Sequence, residues 1–350
     1  MEPSENVPEI DARERDADSA DPAREPTRSR PIRWWLCLLI GAAAAGLGLL
    51  PWLVTGMRLP LQNLWATADL PDAYPLVLLP FSQYFLSTIA ALLIVGAAFA
   101  GIAGRATRAR QRRFGVAWML VGLLIVHVAA IVQTTLVVRD GLQDRVESDL
   151  YLAALVGIAV LANLIGVLVM LLVAAAPRGG AVIGLAIAAV LSSAWLGLLL
   201  IPEPAFAGPA AEPALFVLRW LPAVLVGAAI GWAGVGTAGR AVASVVALLI
   251  LWVGPALITA VSYAAGSRVL LRRPDELLDA AAEVFRSAVT MPEVVVPPLV
   301  VAVVVAVIGI VARALVRRGR ATGPSSGAAS AEATADGAPA TSVTDPTPTD

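Results

Sequence analysis

Eight long apolar runs alternate with short polar segments between Trp34 and Val316. Each run has about the twenty residues that a helix needs to cross the hydrocarbon core of a bilayer. Backbone amides in hydrocarbon must be bonded within a helix or a closed barrel, and the runs lack the alternating pattern of barrel strands, so they are predicted to be helices. The predicted spans are 34–54, 81–103, 115–138, 151–173, 181–201, 216–236, 241–264 and 297–316.

The pattern therefore predicts an all-α integral membrane protein with one transmembrane domain, residues 34–316. Its composition, 58% apolar and 15% charged, excludes an ordinary soluble domain. The flanking segments, 1–33 and 317–350, contain too few large apolar side chains to offset the entropy of ordering a chain. They are predicted to be disordered cytoplasmic tails.

Charged residues sort onto alternate connections between the spans. All 13 acidic residues of this region fall in the first, third, fifth and seventh connections, whose side of the bundle is called here the acidic face. The other connections carry seven arginines and no acid, and form the arginine face. Because arginine-rich connections stay in the cytoplasm, both termini are predicted to be cytoplasmic and the acidic face external. The chain has no lysine, a usage that resembles proteins of high-GC bacteria and suggests the plasma membrane.

Two short similarities link spans that lie four apart. Residues 95–98 and 226–229 both read Val-Gly-Ala-Ala, and each leads to an Ala-Gly-Arg sequence that ends at Arg105 or Arg240. Residues 47–50 and 196–199 both read Leu-Gly-Leu-Leu. A duplication of four spans would give two halves of the same orientation, the parallel repeat that some transporters use. The sequence raises this four-plus-four repeat as a hypothesis.

Few polar side chains are predicted within the bilayer, where they usually mark a packing contact or a path. His127 and Asn163 fall near the middle of the third and fourth spans, and Thr134 shares the helix face of His127. They form a candidate mid-membrane polar site, whose alternative interpretation is one interhelical hydrogen bond. The spans carry no buried carboxylate, which argues against a proton or sodium pump. A single histidine and a single cysteine point to no metal or cofactor site.

The seventh span contains Gly254 and Pro255 inside an otherwise continuous apolar run. Proline removes a backbone hydrogen bond, so this pair is a candidate hinge. The alternative is a static bend, since prolines are common in membrane helices.

Two external segments are long enough to have structure of their own. The first contains Asp69 and Asp72; acidic residues in the first external loop are typical of membrane glycosyltransferases that use lipid-linked sugars, which the chain resembles in this respect. The second, residues 266–296, has a middle part, residues 274–290, that predicts an amphipathic helix with an apolar stripe of Leu278, Ala281, Phe285 and Val289. Such a helix lies on the outer membrane surface or docks a partner.

These features favour a non-catalytic accessory or assembly component over an enzyme. The expected partners are the lipid bilayer and a membrane protein bound through helix 274–290 or the tails; no feature suggests nucleic acid. A transporter or permease for a small or amphiphilic solute is the alternative, based on the repeat and on Pro255. A weaker alternative is an external enzyme that acts on a lipid-linked substrate through Asp69 or Asp72. No cofactor is expected for any of them.

Overall fold

The computed structural model describes residues 31–62, 64–67, 73–201, 208–267 and 273–321. Within these ranges the structure is helical, with three isolated β-bridges and no strand. The α-helices are α1 Trp34–Val54, α2 Leu86–Ala106, α3 Gly115–Gly141, α4 Val146–Ala174, α5 Arg178–Leu200, α6 Glu212–Ala233, α7 Ala238–Gly266, α8 Pro274–Thr290 and α9 Pro292–Ala321.

Eight of these helices, all except α8, are long and apolar enough to cross a membrane, as the sequence predicts. Several continue past the apolar runs, because polar residues such as Glu147 and Glu293 suit the positive end of a helix dipole. The second helix instead begins at Leu86, later than the predicted residue 81, since residues 81–85 form a turn in which Phe81 and Ser82 are buried. At the other end of the chain, α9 continues to Ala321, and the remainder of the predicted tail lies outside the described residues.

The spans form two groups of four. In the first helix group, α1 packs against α2 and α3, and α2 packs against α4. In the second helix group, α5 packs against α6 and α7, and α6 packs against α9. Helix α5 also packs against α2 and α4, so it joins the two groups. The amphipathic α8 lies mainly against α7, where the Trp252 indole donates to the Val289 carbonyl at 3.0 Å.

Glycines bring the backbones of α1, α2 and α3 into direct contact. A Cβ on Gly41 would lie 1.9 Å from the carbonyl oxygen of Met119 in α3, and one on Gly48 would lie 2.5 Å from the Cα of Gly96 in α2. In hydrocarbon, close approach of small residues replaces the hydrophobic driving force available to soluble helices. At these glycines α1 packs on α2 and α3 backbone to backbone, with no side chain between them.

In the second helix group, two glycines at a Gly-x-x-x-Gly spacing in α6 bring its backbone close to that of α9. A Cβ on Gly227 would lie 2.5 Å from the Ala302 carbonyl oxygen, and one on Gly231 would lie 3.1 Å from the Cα of Gly309. Both partners belong to α9, so this spacing packs the chain's own helices.

Arginines on the arginine face bind the carboxyl ends of neighbouring helices. Arg105 donates to the carbonyls of Val173 and Ala176 at the end of α4. At the end of α6, Arg240 donates to the Ala233 carbonyl at 3.1 Å and Arg313 donates to the Gly231 carbonyl at 3.3 Å. The last carbonyls of a helix lack intrahelical donors and carry a partial negative charge, so cations stabilise them.

Candidate functional site

His127 and Asn163 meet in the interior of the first helix group. The imidazole Nδ1 lies 2.9 Å from the Asn163 Oδ1, across the contact between α3 and α4. His127 is fully buried and Asn163 is 9% exposed. The structure therefore brings together the two polar side chains that the sequence placed at the same depth.

The surroundings of the imidazole leave little room for a ligand. Its Nε2 has no hydrogen-bond partner among the described residues, and it faces the Gly96 backbone so closely that a Cβ there would lie 3.5 Å away. Since Asn163 presents an oxygen, Nδ1 is the donor and Nε2 carries a lone pair. The pair can accept one more hydrogen bond, for example from a water molecule. No group of three metal-ligating side chains occurs in the described ranges.

Thr134 lies two helical turns from His127 and serves a different contact. Its buried hydroxyl accepts a hydrogen bond from the backbone amide of Leu79 at 3.0 Å. The adjacent Gln133 accepts from the amide of Leu78 at 3.0 Å and donates to the carbonyl of Leu76 at 3.1 Å. Both side chains hold the connection between α1 and α2, and the structure separates Thr134 from the His127–Asn163 pair.

That connection enters the helix bundle as a re-entrant loop. Thr134 lies seven residues before the end of α3, so a rise of 1.5 Å per residue puts its bond to Leu79 about 10 Å below the helix end. Val77, Leu79 and Phe81 are at most 1% exposed and pack in one cluster with α2, α3 and α4. Irregular backbone inside the bundle of a membrane protein is tolerated where it is buried in protein. The re-entrant loop, residues 73–85, therefore plugs the acidic-face end of the first helix group.

Hydrogen bonds of Gln62 and Tyr151 hold the re-entrant loop against the helices. The buried Gln62 amide donates to the carbonyls of Pro60 and Phe81, both at 2.7 Å. Its oxygen accepts from the Tyr151 hydroxyl at 2.8 Å, which ties the connection to the first turns of α4. Further along, Trp65 covers Gly141, where a Cβ would lie 1.8 Å from the indole ring.

Sequence reasoning did not assign a role to Gln62, Gln133 or Tyr151. The sequence does contain an indication of such a role, because amide and phenol side chains at the ends of apolar runs need hydrogen-bond partners when they are buried. The partners themselves are set by tertiary structure, however: Gln133 bonds backbone atoms 55 and 57 residues away, and the Tyr151 hydroxyl bonds the Gln62 side chain 89 residues away.

Gly254 and Pro255 lie in α7, which continues unbroken through them. Gly254 packs against Val190 of α5, and Thr259 donates to the Pro255 carbonyl at 2.9 Å. Pro255 also lines a cavity in the second helix group. The candidate hinge therefore lies beside open space, far along the chain from the His127–Asn163 pair.

The remaining candidates are the acids of the first external loop and the amphipathic helix 274–290. Asp69 and Asp72 lie outside the described residues. Helix α8 spans Pro274–Thr290, the range that the sequence predicts, and its partly buried side matches the predicted stripe except at Leu278. Of the predicted stripe, Ala281, Phe285 and Val289 are partly buried, whereas Leu278 is 68% exposed and Leu277 and Val284 are partly buried in its place.

The arrangement in the first helix group is a closed polar contact beneath a hydrogen-bonded plug. It can fix helix register, and its geometry offers neither a nucleophile with a base nor a cation site. No protein-family model, curated protein or solved structure matches the chain.

Proposed function

We propose that this chain is a non-catalytic accessory or assembly component of the plasma membrane. The observation that carries the proposal is the closed interior of the first helix group, where His127 is fully buried and the re-entrant loop fills the acidic-face end. A transport path through these helices needs polar groups that water can reach, and the strongest polar candidates are packed against backbone. An interhelical bond that fixes register suits a scaffold.

The proposed orientation places both termini in the cytoplasm and the acidic face outside. It rests on the arginine connections, which follow the positive-inside pattern. The contacts of Arg105, Arg240 and Arg313 with helix ends give these arginines a structural role as well. In this orientation the re-entrant loop and α8 form the external side.

The proposed partner is another membrane protein, bound through α8 or the tails. Leu278 supports the first route, because it projects from α8 and is 68% exposed. The charged side of the same helix is ordered by the pairs Arg273–Glu276, at 2.8 Å, and Arg286–Glu283. An exposed apolar side chain beside fixed charges resembles the anatomy of an interface core and rim.

Two measurements test the accessory role. The full chain, solubilised from its native membrane, should purify with a partner at a fixed stoichiometry, and Leu278→Glu should release that partner without changing the chain's own thermal unfolding. His127→Ala should rescue every phenotype of a deletion strain. A chain that purifies alone and catalyses solute uptake in liposomes would exclude the accessory role.

Cysteine labelling tests the closed interior directly, since Cys37 is buried and can be replaced by alanine. In that background, a water-soluble maleimide should label Leu278→Cys and leave Asn163→Cys unlabelled. Labelling of Asn163→Cys in intact membranes would reveal a water path and refute the closed interior.

A second candidate, a transporter, is favoured by the resemblance between the two helix groups. The contacts α1–α2, α1–α3 and α2–α4 recur as α5–α6, α5–α7 and α6–α9, the pattern expected of a four-plus-four parallel repeat. Gly48 and Gly197 of the Leu-Gly-Leu-Leu match both face the following helix. Arg105 and Arg240 are not equivalent, because one ends α2 and the other begins α7. Uptake of an amphiphile into liposomes, altered by Pro255→Ala, would favour this candidate.

A further inference from the structure

A cavity of 690 Å³ lies in the acidic-face half of the second helix group. It separates α7 from α6 and α9, and α8 contributes Ala288 to its wall. It extends from Arg219, two turns into α6, to Leu251 near the middle of α7. Its volume falls within the range of about 300 to 1,000 Å³ that is typical of ligand pockets.

Three helices place a proline on the wall of this cavity: Pro222 in α6, Pro255 in α7 and Pro298 in α9. Each proline lacks the N–H that would bond the carbonyl four residues earlier, so a wall carbonyl in each helix loses its usual donor. Ser193 of α5 supplies one replacement, donating to the Leu218 carbonyl at 2.6 Å. The wall thus contains carbonyls without their usual helical donor, although α6, α7 and α9 each continue through their proline.

The matching space in the first helix group is already filled. There, between α3, α2 and α4, the re-entrant loop inserts Val77, Leu79 and Phe81. Thr134 and Thr259 each lie seven residues before the last residue of their helix, and the Thr134 hydroxyl holds the loop backbone whereas Thr259 lines the cavity. The second helix group therefore has an open position where the first one holds an apolar segment.

Arg219 gives this apolar cavity one positive charge. It is the charged residue that lines the cavity, and its guanidinium lies 5.2 Å from the ring centroid of Trp220. It makes no ion pair within the described ranges. An adjoining pocket contains Glu283, but that carboxylate is bound to Arg286. An anion held near Arg219 would thus meet no competing acid among the residues that line the cavity.

We propose that this cavity binds one anionic phospholipid from the leaflet at the acidic face. An acyl chain fills the space between α7, α6 and α9, and the phosphate pairs with Arg219. The mostly aliphatic wall requires an apolar ligand, which excludes free phosphate, and the single cation selects a negatively charged headgroup over a zwitterionic one. This inference goes beyond the accessory role and does not depend on it.

The test is a binding titration of the purified full chain in neutral detergent, with bound lipids counted by native mass spectrometry. Phosphatidylglycerol should bind as one retained molecule, and phosphatidylcholine should bind more weakly. Arg219→Gln should weaken phosphatidylglycerol binding about fivefold or more, the effect of one interfacial cation. Thr259→Phe, which fills the cavity from an exposed position, should weaken binding of both lipids.

Matched controls separate this site from general lipid contact. Val261→Phe lies on the same helix at a 48% exposed position that does not line the cavity, and Arg139→Gln removes an exposed arginine from the end of α3. Both should bind lipid as the unmodified chain does. The proposal fails if neither Arg219→Gln nor Thr259→Phe changes phosphatidylglycerol binding. It fails as well if glycerol phosphate, which has no acyl chains, binds as tightly as phosphatidylglycerol. It also fails if phosphatidylcholine binds equally well.

Discussion

Replacement of Gln62 by alanine should release the re-entrant loop. The side chain is 5% exposed and makes three hydrogen bonds, to the carbonyls of Pro60 and Phe81 and to the Tyr151 hydroxyl. Each bond contributes about 0.5 to 1.5 kcal/mol net, and leaving a buried partner unsatisfied costs about 1 to 3 kcal/mol. We therefore expect a loss of about 2 to 4 kcal/mol in the free energy of unfolding.

Unfolding of the reconstituted chain in mixed micelles, titrated with a denaturing detergent, measures this loss. Tyr151→Phe removes one of the three bonds and should cost about 1 kcal/mol. Because both changes remove the same bond, the double variant should be less destabilised than the sum of the two single variants.

A second measurement reports the position of the loop. Ser82 is 1% exposed, and Ser82→Cys in a Cys37→Ala background changes little volume. Its thiol should resist a water-soluble maleimide in the otherwise unmodified chain and react when Gln62→Ala is added. The reasoning is refuted if Gln62→Ala stays within about 0.5 kcal/mol of the unmodified chain, or if its effect is additive with that of Tyr151→Phe.

Three further substitutions test the packing of the helices. Gly48→Ala should cost about 1 to 3 kcal/mol because its Cβ would meet the backbone of α2, whereas Gly46→Ala, with open space around it, should be neutral or stabilising in the same unfolding titration. Arg105→Gln should lower the midpoint of thermal unfolding by removing bonds to the end of α4, and the exposed Arg108→Gln should not; equal midpoints would contradict the capping role. Asn163→Leu should cost about 0.6 to 2 kcal/mol by breaking its bond to His127, and a stabilised variant would show that the bond is dispensable.

The helices were the most predictable part of the chain. Apolar runs of helical length reflect a local requirement, since each segment must satisfy its own backbone in hydrocarbon. The same holds for α8, whose range follows from proline and acids at its start and an amphipathic period after them. Three of the four residues of its predicted apolar stripe are partly buried, and Leu278, the fourth, is exposed.

The candidate site was only partly predictable. The depth of His127 and Asn163 followed from counting residues along antiparallel neighbours, and the structure places them 2.9 Å apart. Thr134 shares the same helix face, yet it bonds to Leu79, because the loop reaches inward and supplies a closer amide. The pattern of apolar residues does not reveal whether a connection stays at the surface or enters the bundle.

The sequence by itself determined the all-helical class, the eight apolar helices and the separation of acids from arginines, because these depend on properties of each segment. Tertiary structure alone decided that the re-entrant loop fills one helix group and that a cavity stays open in the other. Those outcomes depend on which distant backbones approach closely enough to bond, as Tyr151 and Gln62 do across 89 residues. The distance between residues so far apart in sequence depends on how the whole chain packs, so a local sequence pattern does not predict it.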